Sequence, residues 1–274
     1  MISILILTKN EEQDLPVCLE SVAWSDDIHL FDSFSTDQTV EIARAAGCRI
    51  TQRRFDDWST HQNWGLANLP FKHPWVLYID ADERVSSEMR DAALLAVRSP
   101  GELVAFRVRR RDFFADGTWL NHAQISPYYL RLFRPGKMRY ERLVNPVSIV
   151  DGPVAAIEGY LDHYPFSKGI ASWVERHLKY ADFEARIILE NRRKGGAFSL
   201  GEAFFGRDFT VRRFHQKELF YRLPFRPLIK FCYMMFVRMA FLDGRAGWTY
   251  ARLQMFYEFL IVHKQRELEA RHGK

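Results

Sequence analysis

Short apolar runs alternate with amphipathic stretches through the first hundred residues. Residues 2–7, 28–31, 48–52 and 75–79 are apolar or β-branched, while 15–23 and 36–46 carry apolar side chains at three- and four-residue spacing. Short apolar runs bounded by polar residues predict buried strands, and the periodic stretches between them predict crossover helices, so this region reads as βαβαβ with a parallel sheet. Thr36 or Asp37 can cap the second helix and Gly47 can end it. Residues 103–110 and 128–133 alternate apolar and polar positions as half-buried strands do, and Pro135-Gly136 marks a turn; the middle third is expected to be β-rich. From Ser172 the period becomes helical through Trp173, His177, Tyr180, Ala181, Glu184, Ile187 and Ile188, with a break at Gly195-Gly196. A second helical block covers about 201–268, interrupted near Pro224, Pro227 and Gly244. The expected organisation is an α/β domain over residues 1–170 and a helical region over 171–274.

Composition narrows the class. The chain has 274 residues, of which 47% are hydrophobic, 15% aromatic and 27% charged, which excludes disordered and fibrous proteins. Cys18, Cys48 and Cys232 form no CxxC, so neither a disulfide framework nor a structural zinc site has ligands, and a reducing compartment is expected. Residues 2–7 lack the basic flank and small-residue cleavage site of a secretory signal and are read as a strand. The most apolar later stretch, 228–242, contains Lys230 and Arg238, so no segment is expected to cross a bilayer. Charge is split: residues 1–100 hold 9 Lys+Arg against 16 Asp+Glu, and the remainder 30 against 18. The front half suits cations and the rear half an anionic surface.

The candidate chemistry begins at Val76-Leu77-Tyr78-Ile79-Asp80-Ala81-Asp82-Glu83, an apolar strand ending in two carboxylates. Residues i and i+2 of an extended chain face the same side. At the carboxyl end of a parallel strand, two such carboxylates would repel unless a hard divalent cation lay beside them, and that cation would be shared with phosphate oxygens. A solvated surface loop is the alternative reading of the same tripeptide.

Two further segments accompany it: Ser3-Ile4-Leu5-Ile6-Leu7-Thr8-Lys9-Asn10-Glu11-Glu12 and Phe31-Asp32-Ser33-Phe34-Ser35-Thr36-Asp37-Gln38-Thr39. With Tyr78 to Arg84, these three ordered motifs resemble the inverting family 2 glycosyltransferases of the GT-A fold. The pattern continues through Arg131-Leu132-Phe133-Arg134, and the branch it resembles most adds sugars to lipopolysaccharide core or exopolysaccharide. The resemblance implies a mixed, mostly parallel Rossmann-like sheet with a helical, membrane-associating C-terminal extension. It implies that Thr8, Asn10 and Glu11 cradle the base and ribose of a nucleotide-sugar, and that Asp32 accepts from them. Ser35, Thr36 and Asp37 are either part of that cradle or only a helix cap. Asp80 would approach the ribose or the metal, Asp82 would be the principal ligand of Mg²⁺ or Mn²⁺, and Asn63 would line the donor pocket. His163 sits where relatives bring a histidine back to the site, to ligate the metal or contact the diphosphate; a structural histidine is the alternative. Arg131 either faces the phosphates or lies on a strand surface.

Inverting transfer needs a carboxylate within reach of the acceptor hydroxyl. Many relatives place a His-Glu pair where this chain reads Met138-Arg139-Tyr140-Glu141-Arg142-Leu143-Val144-Asn145-Pro146. Glu141 is the preferred base, being the only carboxylate between Arg131 and Val150, with an exposed ion pair to Arg139 or Arg142 as its alternative; Asp112 and Asp116 are in reserve. Residues 207–238 interleave eight Lys+Arg with eight aromatics. That composition suits an element lying on an anionic membrane, whereas no nucleic-acid motif accompanies it; a helix packed on its own core with a basic solvent face is the other reading. The resulting expectation is an inverting, metal-dependent glycosyltransferase. It would move a sugar, from UDP in the first instance, to a lipid-linked saccharide or lipopolysaccharide acceptor on the cytoplasmic face of the membrane, with a homo-oligomer possible. A polyprenyl-phosphate sugar synthase and a non-catalytic adaptor of the same fold are the competing readings.

Overall fold

The computed structural model describes residues 1–141, 147–193 and 198–272. Its chain divides into a sheet unit, residues 1–113 and 125–167, and a helical unit, residues 114–124 and 168–274. The second boundary lies between residues 167 and 168. The segment 114–124, however, leaves the sheet unit between two strands and is grouped with the helices, which an alternation pattern cannot reveal.

The sheet unit opens with β1 (Ser3–Thr8), α1 (Leu15–Val22), β2 (Ile28–Asp32), α2 (Thr39–Ala45), β3 (Arg49–Gln52), α3 (Trp58–Asn68) and β4 (Val76–Asp80). It continues with β5 (Glu83–Val85), α4 (Ser87–Ala96), β6 (Ala105–Asp112), β7 (Tyr128–Phe133), β8 (Met138–Glu141), β9 (Val147–Val150) and β10 (Val154–His163). Eight strands form one sheet in the order β3-β2-β1-β4-β7-β6-β10-β5, and β8 pairs β9 in a separate hairpin. The pairs β3/β2, β2/β1, β1/β4 and β6/β10 are parallel, whereas β7 and β5 run against their neighbours. Since β7 is antiparallel to both β4 and β6, the strands β3, β2, β1, β4, β6 and β10 all point the same way.

The strands read as continuous apolar runs because both faces are covered. Ile4, Ile6, Leu77 and Ile79 pack with Leu15, Cys18, Leu19, Met89 and Ala93 on one face. Leu5, Val76, Tyr78 and Phe133 pack with Leu69, Met138 and Tyr140 on the other. The helix α3, absent from the periodicity reading, starts where the Asp57 side chain accepts from the Thr60 amide, and its Trp64 and Leu66 pack on the second face. Its buried side includes Ser59, His61 and Gln62, so polar residues mask its amphipathic pattern. The second helix begins at Thr39 rather than Thr36, because residues 33–38 are tied to the β1–α1 loop. Gly47 follows its end with φ 75°, as expected. In β10, Gly159 has φ 87° at a register shift against β6; a Cβ there would stand 2.4 Å from the Met89 amide nitrogen, so the bulge lets α4 approach the strand backbone.

In the helical unit, α5 (Gly169–Arg193), α6 (Leu200–Phe205), α7 (Phe209–Arg222), α8 (Arg226–Cys232) and α9 (Gly244–His272) account for most of the chain. A π-helical turn at Tyr233–Val237 and a 3₁₀ turn at Ala240–Asp243 join the last two helices. Ala181, Ile188, Tyr221 and Ile261 form its core. Beside them, buried Arg226 donates through Nε to Glu258 and through Nη1 to Gln265, each at 2.8 Å. Asp243 holds the inserted segment by accepting from the amides of His122 at 2.9 Å and Ala123 at 2.7 Å. Among the described residues no helix is long and apolar enough to cross a membrane.

Candidate active site

Every strand of the parallel set ends on a polar residue: Gln52, Asp32, Thr8, Asp80, Asp112 and His163 close β3, β2, β1, β4, β6 and β10. Strand direction therefore gathers them on one edge of the sheet, the edge where open α/β sheets receive ligands. Glu83 joins them because β5 begins there, opposite His163.

At the β3-β2-β1 end the polar groups satisfy one another. The buried Asp32 carboxylate accepts from the Thr8 hydroxyl at 3.1 Å, the Ser35 amide at 2.9 Å, the Ser35 hydroxyl, and Gln52 Nε2 at 2.9 Å. Burial alone would raise its pKa, but these donors outweigh it and the net shift is downward. All four lone-pair sites are thus spent on the protein, and Asp32 ties the ends of β1, β2 and β3 together instead of presenting a free acceptor. Asn10, with φ 57°, accepts from the Thr36 amide at 2.8 Å and donates its own amide to Ser35 Oγ at 2.8 Å. The Glu11 amide bonds Thr39 Oγ1 at 2.8 Å, and Glu12 and Asp37 exchange bonds with each other's loops. Asp37 also accepts from the Thr39 amide at the start of α2. Asn63 lies on α3 and clamps β8: its Nδ2 donates to Tyr140 O and its Oδ1 accepts from Tyr140 N, both at 2.8 Å. The amide of Asn63 thereby takes the place of a neighbouring strand rather than lining an open pocket.

At the other end lies a charged lattice. The extended i, i+2 geometry expected of Asp80 and Asp82 does not occur, because β4 stops at Asp80 and the chain turns at Ala81 and Asp82 into β5. Glu83 enforces that reversal by accepting from the Asp80 amide at 2.9 Å. The two aspartates consequently part. Asp80 accepts from Tyr78 OH at 2.6 Å and from Arg131 Nη2 at 2.9 Å. Arg131, buried over the Tyr78 ring, also donates to the buried Glu83 at 2.7 Å, so it is neither a surface residue nor a free phosphate ligand. Burial pushes the Glu83 carboxyl up, Arg131 opposes and Asp80 adds, leaving it at about 7. Asp82 faces His163 Nε2 at 3.3 Å, while His163 Nδ1 bonds the buried Asp112. Burial disfavours an imidazolium, but Asp82 and Asp112 on either side outweigh it and push His163 up to about 9. Arg110 completes the lattice 3.2 Å from Asp112. Arg84 turns away to Asp14.

Glu83, Arg110 and Tyr78 were not among the expected site residues. Tyr78 was legible as the same-face neighbour of Asp80 on β4, and Glu83 stands within the acidic motif; nothing in sequence marks Arg110 among its arginine neighbours. Of the three candidate bases, Asp112 is enclosed beneath His163 and Arg110. Asp116 belongs to the helical unit, where it closes a turn by accepting from the Thr118 amide at 3.0 Å. Glu141 is exposed at the end of β8 and pairs with Arg139 at 3.0 Å; of the stretch 138–146 expected to stand in place of a His-Glu pair, residues 142–146 lie outside the described residues.

A divalent ion fits part of this lattice. Among the described residues no three His, Cys, Asp or Glu side chains converge into a ready-made metal cage. Mg²⁺ and Mn²⁺ sites that serve phosphates commonly use one or two protein ligands, with substrate oxygens and water completing the shell. Asp82 Oδ2 and His163 Nε2, 3.3 Å apart, approach the spacing of about 3.0 Å between adjacent ligands at about 2.1 Å from one ion. Asp112 on Nδ1 supplies the carboxylate that metal-bound histidines customarily lean on. Asp80, committed to Tyr78 and Arg131, stands outside that pair.

Residues 3–158 match the model of Glycosyl transferase family 2. The chain belongs to that family. It is a glycosyltransferase, and its mixed, largely parallel sheet followed by helices is the arrangement expected of a GT-A enzyme. Over 281 residues it is 27% identical to the lipopolysaccharide core biosynthesis glycosyltransferase LpsC of Rhizobium meliloti, covering 98% of this chain and 94% of that one. An uncharacterized glycosyltransferase of Rickettsia typhi is 24% identical over 78% of this chain and 77% of its own. Among solved structures, S. aureus TarS 1–349 aligns over 100% of this chain and 92% of its own, with TM-score 0.42 and 14% identity. Glucosyl-3-phosphoglycerate synthase of Mycobacterium tuberculosis, solved with Mn²⁺, UDP-glucose and phosphoglyceric acid, aligns over 43% of this chain and 45% of its own, with TM-score 0.34 and 19% identity.

Proposed function

We propose that this family 2 glycosyltransferase transfers a sugar, with inversion, from a UDP-sugar to a lipopolysaccharide-core or lipid-linked saccharide at the inner face of the cell membrane, with Mg²⁺ or Mn²⁺ as cofactor. The observation that carries the reading is the Asp82–His163–Asp112 series at the carboxyl edge of the sheet. The likeness to LpsC along almost the whole of both chains supports the acceptor class.

Asp82 and His163 would hold the ion, which supplies charge neutralisation for the departing diphosphate. Asp112 fixes the His163 ring through Nδ1 and leaves Nε2 directed at Asp82. Arg131 keeps Asp80 and Glu83 from repelling one another, so the turn at Ala81 and Asp82 holds its shape before a donor arrives. The loops locked by Asn10, Ser35 and Thr36 form the base and ribose end of the donor site. We assign the base to Glu141: its carboxylate takes the acceptor hydroxyl proton as the acceptor oxygen bonds the anomeric carbon and the sugar–phosphate bond breaks, its electron pair leaving on the diphosphate.

Calorimetry of UDP binding with Mn²⁺ tests the ion assignment. Asp82→Asn and His163→Gln should abolish the Mn²⁺ dependence, and Asp112→Asn should weaken metal-dependent binding by roughly 10- to 100-fold. Wild-type affinity and metal response in Asp82→Asn would refute the proposal. Glu141→Gln should bind donor normally yet lose transfer to a core-oligosaccharide acceptor.

A further inference from the structure

The polarity of the α8–π segment is inverted. Its buried side carries Arg226, neutralised by Glu258, together with Met234 and Met235. Its solvent side is apolar: Phe225 is 78% exposed, Phe236 73% and Val237 67%, with Leu228, Cys232 and Tyr233 exposed between them. Phe225, Leu228, Cys232 and Phe236 follow at spacings of three and four, one stripe of a helix, and the π turn at Tyr233–Val237 widens that stripe at its end. Phe241 and Leu242 continue the exposed apolar surface in the 3₁₀ turn. Phe225 and Met239 hold φ 54° and 57°, a region bulky side chains rarely adopt, at the two ends of the segment.

We infer that this face is a docking surface for an anionic lipid bilayer, with the α8–π segment lying in the plane of the headgroups. Charge selects the occupant. Residues 219–242 contain four Lys+Arg and no Asp or Glu; Arg226 is neutralised by Glu258 and the largely buried Lys230 lies on the same inner side towards that carboxylate, leaving exposed Arg222 and half-buried Arg238, which also donates to Gln124 O, beside the apolar stripe. A second copy of the chain meeting this face symmetrically would set those cations against themselves, whereas lipid phosphates complement them while rings and aliphatic side chains enter at headgroup depth. The twelve residues from Arg226 to Val237 span only about 18 Å as a helix, too short to cross a hydrocarbon core of about 30 Å. Sequence alone spread this role over 207–238; side-chain exposure concentrates it on the α8–π face. The inference rests on the proposed lipid-linked acceptor.

The test is co-sedimentation of the full chain with phosphatidylcholine vesicles, with and without phosphatidylglycerol. Wild type should bind the anionic vesicles, and binding should fall with added salt. The variant F225S/L228S/F236S should partition roughly 100-fold less or worse, and R222Q should lose mainly the preference for phosphatidylglycerol. These side chains face solvent, so thermal melting and Mn²⁺-dependent UDP binding should match wild type; that second readout separates failure of docking from failure of the sugar-transfer reading. Equal sedimentation of the triple variant overturns the inference. So does absence of wild-type binding, or a wild-type dimer in light scattering that the triple variant dissociates.

Discussion

Replacing Arg131 with methionine keeps the length of the side chain over Tyr78 and removes the charge that Glu83 and Asp80 share. With Arg131 in place Glu83 titrates at about 7, against 4.5 for an unperturbed glutamate. A carboxyl whose folded pKa is raised binds more protons in the native state, so its contribution to stability is full below 4.5 and is lost as pH rises to the folded value. Without the guanidinium the folded pKa climbs further and the loss continues above 7, at about 1.4 kcal/mol for each further pH unit. A pH-independent part, the lost Asp80 bond and cation–π contact, adds about 1–2 kcal/mol. Arg131→Met should therefore cost about 1–2 kcal/mol at pH 6 and about 2.5–3.5 kcal/mol at pH 8. In melting temperature that is roughly 2–6 °C and 6–12 °C below wild type. Thermal melts followed by circular dichroism at the two pH values measure it. The double variant Arg131→Met/Glu83→Gln should lose the extra drop at pH 8. An Arg131→Met deficit that is the same at both pH values, or a double variant no better than the single at pH 8, would show that Glu83 is not the group Arg131 compensates.

Two other perturbations address the scaffold. In the helical unit, His177 stacks on Trp173 at 3.4 Å, and burial pushes its pKa down to about 4. A depressed histidine contributes stability that is complete above 6.5 and lost as pH falls towards 4; allowing for its partial exposure, wild type should lose about 1–2 kcal/mol over that interval, and His177→Phe should flatten the melting profile there. Gly159→Ala should destabilise the sheet unit by about 2–4 kcal/mol in urea unfolding, because its Cβ would meet the Met89 backbone at 2.4 Å while φ stays at 87°; an unchanged urea midpoint would mean that α4 can shift freely from β10.

Much of this molecule was written locally. Apolar runs flanked by periodic stretches marked β1, α1, β2, α2, β3 and β4, because strand and helix periodicity are properties of neighbouring residues; the order of three motifs was enough to indicate the family. The helix α3 escaped, since its buried side carries Ser59, His61 and Gln62 and only packing on the sheet makes such a face pay. The site divides along the same line. Strand ends could be read one by one, yet the strand order that brings Asp112 and His163 to the edge shared by Asp80 depends on β7 entering between β4 and β6, a pairing across more than fifty residues. Sequence placed Asp80 and Asp82 side by side; tertiary contacts separated them, as Glu83 bound the Asp80 amide, Arg131 took one carboxylate and His163 the other. Adjacent residues fix hydrophobic pattern and turn chemistry, whereas the partner that neutralises a buried charge is chosen by whichever distant strand the fold lays beside it.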